Sequence, residues 1–188
     1  MVPQEVVAQL GEVCRGAAAA YWGLPVETLV LEPSKVRPPF AEKMGMILVG
    51  QSAFRITLKL HYDSQIFSQT GSGKSGGIAV SAEEVVREAL NQLGGRVRAT
   101  IEAGGKVAAL GLPVLTRGFD EVFSRPTDDL TCFGAVWRLH AAVRPDREPS
   151  KFQFIIGILL EVSDRTALDT LSFDGKTLQT SSQEMELL

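Results

Sequence analysis

Few side chains in this sequence combine a reactive type with a spacing that would let them act together. Glu88 and Asn91 do. They stand three positions apart within residues 81–105, SAEEVVREALNQLGGRVRATIEAGG, so on a helix they lie one turn apart on one face. A carboxylate accepts hydrogen bonds and pairs with cations. A carboxamide donates and accepts at once, which lets it hold a water molecule in one orientation. Two polar residues on a solvated helix face are the plainer account of the same pattern. Asparagine is, however, a poor residue for a helix interior. Gly94 and Gly95, one turn on, would also clear space for another backbone to approach.

Other candidates are weaker. Residues 71–75, GSGKS, invite comparison with a phosphate-binding loop, but GxxxxGK[ST] would place its first glycine at Ser68. Gly76 and Gly77 then follow where a helix should begin, so residues 70–77 read as a mobile linker. His61 and His140 have no Cys/His cluster around them and read as structural. Asp128 and Asp129, in PTDDL, read as carboxylates solvating a turn. Cys14 and Cys132 sit far apart in apolar surroundings without a CxxC spacing, as packed, reduced thiols do. No set of metal ligands emerges.

The elements that must position Glu88 and Asn91 can be read from periodicity. Val86, Ala89, Leu90, Leu93, Val97 and Ile101 recur at steps of three and four, the stripe of an amphipathic helix. Glu84, Glu88, Asn91, Gly95, Arg98 and Glu102 fall on the opposite side and form a ridge. Ser81 with Glu84 three residues on predicts a capping box, and Gly104 with Gly105 a stop. A first helix is expected over residues 4–21, ended by Gly23, and a short strand over 27–31. Residues 32–43, with Pro33, Pro38 and Pro39, read as a loop. Residues 46–49 and 54–60 predict a hairpin turning at 50–52, with Arg55, Thr57, Lys59 and His61 on its polar face. Residues 63–68 could form a helical turn or two. Residues 106–116 read as a strand with Pro113 in or beside it, marking an edge or bulge, and residues 117–129 as a loop. Residues 130–143 and 152–162 are the longest strand candidates, paired through a turn at 144–151. Residues 166–171 could add a last helical turn.

Composition sets the frame. The 188 residues are 45% apolar and 22% charged, ordinary for a globular domain. We expect one domain over residues 1–172 and a polar, flexible tail over 173–188. A net charge of −3 offers no basic footprint for nucleic acid or anionic lipid. No apolar run is long enough for a membrane span, and residues 1–7, MVPQEVV, lack the pattern of a signal peptide. The expectation is a cytoplasmic protein of α+β class, a two-layer sandwich with long helices packed on a mainly antiparallel sheet.

Several stretches together resemble the signature of the CheX and CheC chemotaxis phosphatases. They are Glu88, Ala89, Leu90 and Asn91, then Gly95 and Arg96, residues 101–105 (IEAGG), and Leu112, Pro113, Val114 and Leu115. That signature is an Asp or Ser, three residues, Glu, two residues, Asn, and farther on a proline, which Pro113 matches. The chain holds one copy, as CheX-type members do, and departs from the pattern with Glu84 at the Asp or Ser position. The resemblance implies hydrolysis of the aspartyl-phosphate of a CheY-type response regulator. Asn91 would align the attacking water, and Glu88 would pair with the regulator's active-site lysine. It places Glu84, Gln92 and Gly95 at the docking surface. It further implies a homodimer, no cofactor of the protein's own, and Mg2+ held by the regulator. A non-catalytic adaptor docking a receiver domain through the same ridge is the other function this resemblance allows.

Overall fold

A computed structural model of the chain describes residues 3–33, 43–62, 74–75, 78–79, 81–117, 131–141 and 153–162. Two helices dominate, α1 (Pro3–Trp22) and α2 (Ala82–Ala103). The strands are β1 (Leu29–Pro33), β2 (Lys43–Gln51), β3 (Phe54–Tyr62), β4 (Lys74–Ser75), β5 (Ile78–Ala79), β6 (Ala109–Leu110), β7 (Val114–Arg117), β8 (Thr131–Ala141) and β9 (Gln153–Val162). Seven of them form one sheet in the order β1-β8-β9-β3-β2-β6, with β7 also paired to β2. Every pairing in it is antiparallel. The class is α+β, as expected.

The core lies between the helices and one sheet face. Val6, Leu10, Val13 and Cys14 of α1 are buried together with Val86, Leu90, Leu93 and Val97 of α2. Ile47 and Val49 of β2 and Ile56, Leu58 and Leu60 of β3 complete this layer. Alternation along the strands turns every second residue into it. Gly23 (φ 62°) closes α1, and Arg15 donates to the carbonyls of Val26 and Leu29, tying that helix to β1. Cys14 is fully buried, and burial pushes its thiol pKa up to about 12, which leaves it unreactive.

Four expectations need correction here. Thr57 and His61 do lie on the strand face opposite the core residues, but both are buried rather than solvated. Pro33 falls in a regular strand, yet at the sheet's edge, where a missing N–H is tolerated. The hairpin turns at Ser52 and Ala53, because the register pairs Gln51 with Phe54. Lys74–Ser75 pairs with Ile78–Ala79 as a short antiparallel ribbon, so Lys74 and Ser75 are not linker. The rest of residues 70–77, Asp128 and Asp129, the turn at 144–151, the helical turns at 63–68 and 166–171 and the tail at 173–188 lie outside the described residues.

Candidate functional site

Helix α2 carries the site, and its ends are fixed by its own sequence. Ser81 Oγ accepts from the Glu84 amide (3.2 Å) while Glu84 Oε2 accepts from the Ser81 amide (2.9 Å), the expected capping box. The Ser81 amide, and then its hydroxyl, hold the Glu84 carboxyl below the usual carboxylate range. At the other end Gly104 caps the helix and Gly105 adopts φ 79°. Between them the helix runs unbroken through Gly94 and Gly95.

The two glycines have different reasons. A Cβ at Gly94 would stand 2.8 Å from Leu110 Cδ1 and 3.1 Å from Ile47 Cδ1, so this residue lets α2 settle onto β2 and β6. Gly45 does the same from the sheet side, where a Cβ would stand 2.6 Å from Leu90 Cδ1. Gly95 has open space around it. Gly94 therefore serves packing within the chain, and Gly95 alone remains on the ridge.

On that ridge Glu84, Glu88, Asn91 and Gln92 are exposed. Gln92 Nε2 donates to Glu88 Oε1 (2.7 Å), which orients the carboxylate from within the helix and occupies one of its oxygens. The Asn91 carboxamide has no hydrogen-bond partner among the described residues and points from the middle of a locked helix. The structure thus brings Glu88, Asn91, Gln92 and Gly95 onto one surface. Glu84 shares it, with one oxygen engaged by the cap.

Sequence reasoning missed two neighbours. Tyr21, at the end of α1, donates its hydroxyl to the Val85 carbonyl (3.2 Å) on the Glu88 flank. Burial, and then the nearby Glu88 charge, raise its pKa. On the opposite flank Arg87 Nη1 donates to the Pro113 carbonyl (3.2 Å), joining the two separated halves of the signature. Both contacts are tertiary, and no local pattern announces them. Farther toward the N-terminus, Lys43 Nζ reaches Glu83 (3.0 Å) and links β2 to the first turn of α2. Among the described residues no group of three His, Cys, Asp or Glu could hold a metal ion. Among them, too, no helix is long and apolar enough to cross a membrane.

No family model and no curated protein matches the sequence. Solved structures do match the fold. The chemotaxis protein CheX from Vibrio vulnificus is 16% identical with a TM-score of 0.53, over 84% of this chain and 99% of that one. The chain has the CheX fold. A CheX from Desulfovibrio desulfuricans (12% identity, TM-score 0.52) is covered over 99% of its length and matches 84% of this chain. A CheC-like superfamily protein from Shewanella sp. PV-4 (12%, 0.52) gives 97% and 83%. The CheX fold as it stands here keeps its long second helix exposed along one side, and the ridge of Glu88 and Asn91 lies on that side.

Proposed function

We propose that this protein hydrolyses the aspartyl-phosphate of a CheY-type receiver domain by positioning a water molecule. The observation that carries this reading is Asn91. It stands exposed in mid-helix on a rigid support, with a donor and an acceptor that have no hydrogen-bond partner among the described residues. A group held in this way loses little freedom when it orients a nucleophile, and orientation alone can supply a large share of a barrier. The water oxygen forms a bond to phosphorus, and the bond from phosphorus to the aspartyl oxygen breaks. The products are the carboxylate and inorganic phosphate, and the water proton leaves to solvent. Glu88, oriented by Gln92, pairs with the regulator's active-site lysine and sets the docking. Mg2+ on the regulator neutralises the charge on the transferring group. The same reading extends to a homodimer.

The test is to mix the protein with phosphorylated receiver domains and follow phosphate release. Wild type accelerates it. Glu88→Ala strands the regulator's lysine without its mate and weakens docking by ~2–5 kcal/mol if the pair is desolvated. The loss shows in KM and is partly overcome by more regulator. Wild type that binds phosphorylated receivers without accelerating phosphate loss would make the protein an adaptor. Absence of binding would remove both readings.

A further inference from the structure

The geometry points to Leu112 as an apolar anchor for the docked receiver domain, with Arg87 as the positioning residue that holds it beside Asn91. This rests on the reading above and adds to it a surface outside the Glu88–Asn91 pair. Leu112 is 87% exposed and Val114 53% exposed, while Leu48 on the adjoining strand is 41% exposed. Of these only Leu112 can stand on the α2 side. Gly45 and Ile47 of β2 face α2, so Leu48 and Val114, the partner of Met46, turn to the other face of the sheet. The Gly111 amide donates to the Leu48 carbonyl (2.8 Å) and ties the segment to β2.

The course of residues 110–113 places Leu112 against the site. Leu110 packs at Gly94, and the Pro113 carbonyl is held by Arg87. From Arg87 to Gly94 the helix rises about 10 Å. Three residues of extended chain cover about the same distance. The intervening Gly111 and Leu112 therefore run alongside the turn that carries Asn91. An exposed leucine on a loop would ordinarily sample many positions. Here the segment is pinned on both sides, by β2 and by Arg87, so Leu112 is presented in a fixed place at little further entropic cost.

The occupant follows from proximity. A stable protein interface covers about 800 Å² on each partner. A receiver seated closely enough on Asn91 to share its water must also cover a side chain about one helical turn away. That side chain is a leucine, and burying a leucine strengthens binding by roughly ten- to a hundredfold. Arg87 acts through the loop, because its Nη1 donates to the Pro113 carbonyl.

The experiment measures KM and kcat for phosphate release from a phosphorylated receiver domain, with Leu112→Ser, Arg87→Ala, Arg87→Lys, the double variant and Val107→Ser. Val107 is 79% exposed at the far end of α2 and serves as the control for general surface apolarity. Leu112→Ser is expected to raise KM about tenfold with kcat unchanged. Arg87→Ala raises it about threefold and Arg87→Lys less, and the double variant is no worse than Leu112→Ser, as residues acting in series require. Val107→Ser behaves as wild type. An unchanged KM in Leu112→Ser with an active wild type overturns the anchor alone. Additive losses in the double variant overturn the positioning role of Arg87. If Leu112→Ser instead disrupts self-association measured by sedimentation, Leu112 belongs to a contact with a second copy and the inference fails. A wild type without activity or receiver binding removes the functional reading, and this inference with it.

Discussion

The two faces of α2 are built from the same residues of one helix, yet they answer to different demands. On one face Val86, Leu90, Leu93 and Val97 are buried against β2, β3 and α1, and Gly94 and Gly45 let the backbones close in. On the other, Glu88, Asn91 and Gln92 are exposed, and the Asn91 carboxamide has no hydrogen-bond partner among the described residues. The buried face stabilises the helix strongly enough to carry an asparagine in mid-helix, where it costs about 0.7 kcal/mol relative to alanine. The free face can therefore be chosen by function.

That division can be broken from either side. The largest expected effect is Leu90→Ala, which opens a cavity above Gly45 and should lower stability by about 2–5 kcal/mol in chemical denaturation. The adjacent glycines give a sharper contrast. Gly94→Ala gains helix propensity but forces a methyl against Leu110 and Ile47, for a net loss of about 1–2 kcal/mol. Gly95→Ala meets nothing and should raise stability by up to ~1 kcal/mol. Equal effects at the two positions would mean that the faces are not distinct. The smallest effect concerns the cap. Glu84 has a depressed carboxyl pKa in the folded state, so its stabilising contribution is present above the ordinary glutamate value of about 4.3. That contribution is lost as pH falls through the folded value. Amide exchange in the first turn of α2 should quicken in that acid range, and Glu84→Gln should remove the dependence.

Much of this helix was legible because its determinants are local. Ser81, Glu84 and Gly105 act within a turn of their own positions, and a stripe at steps of three and four leaves one face for the core. What lay beyond reach depends on partners distant in sequence. Gly94 and Gly95 look alike in the sequence, and only Leu110 and Ile47 tell them apart. Alternation placed Thr57 and His61 opposite the core correctly, but it cannot say whether that face is covered. Residues 106–116 read as one strand and form two, β6 and β7, because beyond the Gly111 amide the chain leaves the ladder over Leu112 and Pro113, and proline has no N–H to donate there. The contact of Arg87 with Pro113 spans twenty-six positions and has no local signature. For the site, the ridge could be read from spacing, while its flanks at Tyr21 and Arg87 could not.

The central claim is that Asn91 serves the reaction and not the fold. Asn91→Ala tests it directly, by single-turnover hydrolysis with saturating phosphorylated receiver beside thermal unfolding of the same sample. Hydrolysis should fall ~10²-fold or more, as when positioning of a reactant is lost, with receiver binding retained and stability unchanged or slightly raised. A variant that hydrolyses at the wild-type rate would contradict the account.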